Sequence, residues 1–208
     1  MAAFTGSAAA MNITSTFRDA DIRPELRSLL LRQNQNERGT VLVEELGFCW
    51  GQARIDLALV NGLLHGYEIK SDRDSLRRLG GQVHLYGKVL DMATLVAGDR
   101  HVDEAAESLP DWWGILKVKT GASGPSFESL RSGRKNPHRD PRALVELIWL
   151  DEAIALLEQR GFTRGVRGKP RRVVWDRVCE HFALEEIASL VRCRLKARAV
   201  PVPAAPLS

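Results

Sequence analysis

The chain is predicted to form an α/β fold: a mixed β-sheet flanked by helices in a three-layer core, with an appended C-terminal helical subdomain. Three observations carry the prediction. Residues 54–60 and 63–70 read as two strands meeting at Asn61-Gly62, a short-range hairpin signal. The apolar runs Met92–Ala97 and Ile115–Val118 suit buried strands of a mixed sheet and follow a stretch of helical periodicity from Ser75 to Asp91. Beyond Pro141 only helical spacing recurs.

The start, Met1 to Met11, is small and Ala-rich without the basic flank and apolar core of a secretory signal. Residues 1–18 are therefore expected to be a disordered leader, with Met11 an alternative start. Asp19–Arg32 reads as an amphipathic helix with Ile22, Leu26, Leu29 and Leu30 inward and Pro24 tolerated in its first turn. A strand Val41–Val43 follows, ending at Glu44 or Glu45.

Side chains alternate along a strand, so the hairpin register can be read from the letters. Ile55, Leu57 and Leu59 share one face; Arg54, Asp56 and Ala58 share the other. On the second strand Leu63, Tyr67 and Ile69 oppose Leu64, Gly66, Glu68 and Lys70, and His65 is a polar residue on the apolar face. A strict two-residue turn sets Asp56 opposite Tyr67. A three-residue loop, such as a type I turn followed by Gly62 in a left-handed bulge, places Asp56, Glu68 and Lys70 together.

Two carboxylates converging on one point repel, so one takes up a proton or a cation sits between them. The second outcome fits Mg²⁺ or Mn²⁺, which accept oxygen ligands and keep several waters beside a substrate phosphate. Lys70, two residues beyond Glu68 on the same face, is placed to orient or deprotonate an attacking water, or to neutralise charge on the phosphate. Gln82 and Tyr86, four apart on the Ser75–Asp91 helix, share a helical face, and Ser71, Asp72 and Asp74 are candidate caps at its start. Each component has a plainer structural reading: a surface ion pair for the triplet, a salt bridge between Arg54 and Asp56, and a core aromatic for Tyr86. Their order, spacing and shared face favour the site.

Asp56, Glu68-Ile69-Lys70 and Gln82-x-x-x-Tyr86 resemble the motifs of the PD-(D/E)XK nuclease superfamily, in particular its RecB-like branch. The run from Arg54 to Asp91, with Trp112-Trp113-Gly114-Ile115, is similar to a small group of bacterial and phage proteins within that superfamily. The resemblance covers about the first 120 residues. It implies a restriction-endonuclease-like core and a Mg²⁺-dependent phosphodiesterase acting on DNA. On that reading Asp56 and Glu68 hold the metal, Glu45 (alternatively Glu44) assists directly or through water, and Gln82 and Tyr86 position the site. Ile55 stands where the superfamily's eponymous Pro would be.

Trp112 and Trp113 are expected to pack against the sheet edge. Lys119–Pro141, rich in Gly, Ser, Pro and Arg, reads as a linker or mobile loop. Within it Arg131, Arg134, Lys135, His138 and Arg139 are candidate phosphate contacts, and Arg54 is a further nucleic-acid-binding candidate. Arg142–Gln159, stopped at Gly161, Arg172–His181 and Leu184–Ala197 read as three helices, a cap on the core in preference to a helix-turn-helix reader. A Pro/Ala tail from Val200 is expected to be disordered.

Charge is uneven. Residues 1–130 hold 14 basic and 17 acidic side chains, net −3, whereas residues 131–208 hold 16 and 9, net +7. Such a C-terminal surface attracts a polyanion without sequence preference. The 208 residues suffice for one domain with an appendage, no apolar run is long enough to cross a membrane, and the three cysteines lack CxxC spacing. A cytoplasmic location is the default expectation. The fold also allows a homodimer; no nucleotide-binding loop occurs, so an ATP-driven step needs a separate partner. Two rivals to the nuclease remain: a nucleic-acid-binding protein that keeps the fold without cleaving, and a regulator that binds DNA through its C-terminal helices.

Overall fold

The computed structural model describes residues 17–121 and 124–199. The expected N-terminal leader and C-terminal tail therefore lie almost entirely outside the described residues. The elements run α1 (Asp19–Gln33), β1 (Val41–Phe48), β2 (Ala53–Val60), β3 (Leu64–Lys70), α2 (Leu79–Gly87), β4 (Met92–Ala97), α3 (Asp99–Ser108), β5 (Gly114–Gly121), β6 (Gly124–Arg131), α4 (Pro141–Val145), α5 (Leu150–Gln159), α6 (Arg171–His181) and α7 (Leu184–Arg198). The six strands lie in the sheet in sequence order. β1, β2 and β3 form an antiparallel meander, β3, β4 and β5 run parallel, and β6 returns antiparallel on β5. The fold is thus α/β with a mixed sheet and a helical C-terminal part, as the sequence predicts.

The two faces of the sheet are covered differently. On one face Ile22, Leu26 and Leu30 of α1 pack on Leu57, Leu59, Tyr67, Ile69, Val96 and Val118. Leu29 is only half-buried. Pro24 is the sixth residue of α1 and not in its first turn; it sits on the exposed side, where water can satisfy the carbonyl that its missing N–H leaves free. The other face is buried under α2, the Trp112-Trp113 pair and α4 to α7. There Leu144, Ile148, Val174, Ile187 and Val191 join Val41, Val60, Leu64 and Leu90 in one continuous core. The C-terminal helices pack on one another and share this core with the sheet, so their apolar stripes are buried in the same layer that covers the sheet.

The β2–β3 register is the three-residue one: Leu57 pairs with Tyr67 and Val60 with Leu64, which sets Asp56 opposite Glu68. Its turn differs from expectation. Gly62 is not left-handed; instead the Asn61 side chain accepts from Leu63 N (3.0 Å), and Asn61 N donates to the Leu63 carbonyl (3.1 Å). The alternation along β2 also shifts at Asp56. Ile55 packs in the larger core with Ala58 and Val60, while Leu57 and Leu59 face α1. Both faces of this strand are buried, so apolar letters fall on each.

Several boundaries are corrected. The helix expected over 75–91 is shorter: a 3-10 turn at Leu76–Arg78, capped by Ser75 Oγ, leads into α2, which ends at Gly87. Asp74 instead accepts from Ser71 N and Oγ, and Asp72 from Arg100 N at the start of α3. The segment 119–141 is not a featureless linker, because β6 pairs along β5 from Ile115 to Gly121. The helix expected over 142–159 breaks into α4 and α5 around Trp149, whose N–H is capped by Glu152 Oε2 (2.8 Å), so four helices stand where three were expected. Trp112 and Trp113 are buried in the core beside Tyr86, not at a sheet edge; the Trp113 and Tyr86 rings stack at 6.0 Å.

Candidate functional site

A cleft of about 890 Å³ opens at the ends of β2 and β3, lined by residues of α1, β1, β2, β3 and α2. Into it come Asp56 from β2, Glu68 and Lys70 from β3, and Gln82 from α2. Period-two alternation carries Glu68 and Lys70 to one place, and a helical turn brings Gln82 and Tyr86 over them.

Glu68 is buried and fully engaged. Its Oε1 accepts from Lys70 Nζ (2.5 Å) and Gln82 Nε2 (2.6 Å), and its Oε2 accepts from the Tyr86 hydroxyl (2.6 Å). That hydroxyl also lies 2.7 Å from the Arg54 carbonyl oxygen and accepts from Gln82 Nε2 (3.1 Å). Burial, then the nearby Glu68 charge, pushes the Tyr86 phenol up, so it remains a donor. The Tyr86 ring is held edge-on to Phe48 at 5.4 Å. Sequence spacing placed Gln82 and Tyr86 on one face; the structure adds that both are fixed on Glu68.

Asp56 Oδ2 accepts from Ile69 N (2.7 Å) and Oδ1 from Arg23 (3.1 Å). Burial and the Glu68 charge push its carboxyl up to about 6, against the lowering pull of Ile69 N–H and Arg23. Arg23, on α1, is the residue that sequence reasoning missed. It bonds Asp19 (2.9 Å), Glu45 (2.6 Å) and Asp56 at once, and although burial opposes it these carboxylates hold its guanidinium more firmly protonated than usual. Its only sequence signal is a position on the polar side of an amphipathic helix, which a solvated arginine shares.

Glu45 has a left-handed backbone (φ 53) and stands across from Asp56 in the β1–β2 ladder, between the pairs Glu44–Leu57 and Leu46–Ile55. Non-glycine residues adopt this conformation rarely and at a cost. Its carboxylate is engaged by Arg23 and by Arg54 (2.7 Å). Glu44 points to Arg27. Among the described residues no group of three or more His, Cys, Asp or Glu is placed to hold a metal. Glu45 thus does not join Asp56 and Glu68 as a third ligand.

The donor set that remains suits a hard cation which keeps most of its waters: two carboxylates facing each other, with Gln82 Oε1 a buried acceptor lacking a partner. Competing for the same carboxylates are two resident cations, Arg23 and Lys70.

The other nucleic-acid candidates are scattered. The Arg139 side chain is buried, bonding Asp91 (2.5 Å) and Glu185. Lys135 pairs with Glu185 (3.1 Å), and Arg134 bonds the Asp111 carbonyl (3.0 Å). Arg131 likewise bonds carbonyls, chiefly that of Trp113 (2.8 Å). By contrast, Arg77 and Arg78 line the cleft, are exposed and make no ion pair with a described residue.

A model of the family described as bacteriophage P4 protein cII matches residues 13–200. Protein cII of Enterobacteria phage P4 is 27% identical over 146 residues, which are 70% of this chain and 55% of that protein. The chain thus matches about half the length of that relative. No solved structure matches the chain.

Proposed function

The chain belongs to the bacteriophage P4 protein cII family, and we propose, from its cleft, that it is a DNA-acting member of that family which hydrolyses phosphodiester bonds with the help of a divalent cation. One observation carries the reading: Asp56 and the Glu68-Ile69-Lys70 triplet face each other across β2 and β3, with Gln82 and Tyr86 fixed on Glu68. These are the residues that carry the resemblance to the PD-(D/E)XK superfamily, whereas the descriptions of the family and of its phage P4 member name no activity.

Asp56 and Glu68 would hold Mg²⁺ or Mn²⁺, which supplies Lewis acidity toward a phosphate oxygen. Tyr86 and Gln82 fix the two oxygens of Glu68, and Ile69 N–H fixes Asp56, so neither carboxylate is free to rotate away. Lys70 Nζ stands beside Glu68 and is placed to orient water or to neutralise the developing charge on phosphate. Arg77 and Arg78 at the cleft draw in the backbone.

A second reading, a DNA-binding regulator that keeps the fold without cleaving, is favoured by a different observation. Arg23 and Lys70 already neutralise Asp56 and Glu68 without any metal, and the excess positive charge lies in residues 131–208. One experiment separates the two: labelled DNA and RNA substrates are incubated with Mg²⁺, Mn²⁺ or EDTA and the native chain, Asp56→Ala or Lys70→Ala. Products that need metal and vanish in both variants establish the nuclease. Retained DNA binding with no products from any of the three proteins establishes the regulator.

A further inference from the structure

A second cleft of about 820 Å³ adjoins the first, and Gly47 and Gly51 line both. Its walls are the β1–β2 connection on one side and α5, α6 and the turn before α5 on the other. Three tryptophans line it: Trp50, Trp149 and Trp175. Trp175 is buried, but Trp50 is 65% and Trp149 60% exposed, which is unusual for the largest apolar side chain.

The exposure of Trp50 is built in. Cys49, Trp50 and Gly51 are successive left-handed residues (φ 49, 58 and 77), a turn that two non-glycine residues adopt only at a cost. It places the Trp50 ring edge-on to Trp175 at 5.4 Å, with its Nε1 donating to Glu146 (3.0 Å). The Trp149 ring is held by the Arg198 guanidinium at 4.2 Å. Both rings are fixed by neighbours yet open to the cleft. The buried Trp175 Nε1 has no partner, and Glu146 and Asp151 in the same walls are acceptors for amino groups.

One edge of this cleft, at Arg171, continues into the stretch 164–172, which holds Arg164, Arg167, Lys169, Arg171 and Arg172 and no acid. All five are exposed, and among the described residues only Arg167 makes an ion pair, with Glu158. Aromatic faces beside a track of exposed cations, four of the five without an ion pair to a described residue, are the two parts of a site for an unpaired strand, stacking for bases and charge for phosphates.

We propose that the tryptophan cleft binds the unpaired bases of a single nucleic-acid strand whose backbone runs along residues 164–172, and so delivers single-stranded DNA to the neighbouring Asp56–Glu68 cleft. Delivery rests on the functional reading above, whereas binding does not. A duplex keeps its bases inside the stack and cannot offer their faces to Trp50 and Trp149.

Binding of the full chain is measured in EDTA to a fluorescein-labelled single-stranded DNA, to its duplex, and to an abasic strand of equal length. The single strand should bind about tenfold tighter than either of the others, the size expected for a base stacked on an aromatic ring. Trp50→Ala and Trp149→Ala should each lose about tenfold on the single strand and nothing on the duplex, with Trp50→Phe restoring most of the loss. Paired Arg171→Ala and Arg172→Ala substitutions should flatten the salt dependence. Both tryptophans are exposed, so these variants fold, and unchanged thermal unfolding checks it. Equal affinity for all three ligands, or native binding by Trp50→Ala, overturns the proposal. Cleavage failing while Trp50-dependent binding persists would overturn the nuclease and leave this site standing.

Discussion

Glu45 and Asp56 face each other across the β1–β2 ladder, and the single guanidinium of Arg23 bonds both carboxylates. With Asp19 a third partner, one cation on α1 offsets three acids from three elements. Arg23 thereby ties the helix to the site and occupies part of the electrostatic role that a divalent cation would take.

Arg23→Ala should therefore lower stability in EDTA by about 1–3 kcal/mol, the cost of leaving partly buried carboxylates without their partner. Added Mg²⁺ should recover more stability in the variant than in the native chain. Because Asp56 titrates at about 6, the Mg²⁺ effect should be weak at pH 5, where the carboxyl holds its proton, and grow as pH rises through that value. Thermal unfolding with Mg²⁺ or EDTA at pH 5 and 7.5 checks this; an identical Mg²⁺ response in both proteins would remove Arg23 from the argument.

How much of this was legible in the letters depends on whether a residue's signal is local. The Asp56–Glu68 pairing was legible, because hydrophobic alternation and turn length together select one register. Arg23 was not, since its partners lie up to 33 residues away and its own surroundings read as an ordinary polar helix face. Helix α3 escaped notice because Asp99–Ser108 is rich in charge and buries little more than His101, Val102 and Ala105. Strand β6 reads as loop for a similar reason: it is an edge strand, mostly exposed, with Gly124, Pro125 and three serines or acids between its apolar residues. The break at Trp149 interrupts a helical pattern that the sequence continues unbroken from α4 into α5.

Asp91 shows what attaches the C-terminal helices. Its buried carboxylate accepts from Leu64 N (2.7 Å), Arg139 (2.5 Å) and Arg192 of α7 (2.9 Å), while its carbonyl accepts from Asn136 N (2.8 Å). Asp91→Asn removes the charge and leaves two arginines facing each other, so it should cost about 3–5 kcal/mol. Arg192→Met, which keeps the stem and leaves Arg139 on the carboxylate, should cost less. Urea unfolding measures both, and limited proteolysis should show α7 released first; a loss below about 1 kcal/mol in Asp91→Asn would mean that apolar packing alone seats the helices.

His65, the polar residue on the α1 face, is the middle of a chain: Nε2 bonds Thr94 Oγ1 (2.8 Å) and Nδ1 the Tyr67 hydroxyl (3.2 Å), with the Tyr67 ring stacked on it at 4.3 Å. Burial pulls its pKa down to about 4, so the folded chain holds it neutral. Below its ordinary value of 6.5 the unfolded chain binds the proton and the folded one does not, so stability falls from pH 6.5 to about 4. The full loss is up to about 3 kcal/mol. His65→Gln should be slightly less stable at pH 7 and lose less on acidification. Denaturant titrations at pH 7, 5.5 and 4 check it, and parallel curves for the two proteins would assign the acid sensitivity elsewhere.

Tyr86→Phe isolates one hydroxyl of the site. The ring stays, with its contacts to Phe48 and Trp113, so packing is preserved. What goes is the donor to Glu68 Oε2 and the neighbour of the Arg54 carbonyl. A buried carboxylate oxygen left with one fewer donor costs about 1–3 kcal/mol, and Glu68 keeps only the donors on its Oε1, Lys70 and Gln82. If the cleft is catalytic, cleavage should fall by roughly ten- to a hundredfold, the same 1–3 kcal/mol expressed in the rate, while affinity for DNA in EDTA stays native. If the cleft is only structural, Tyr86→Phe should shift thermal unfolding and leave any cleavage unchanged. Gln82→Ala adds the decisive comparison. Its side chain bonds both Glu68 and Tyr86, so as part of one network its effect on rate should not add to that of Tyr86→Phe, and a double variant no slower than the worse single one is the expected result.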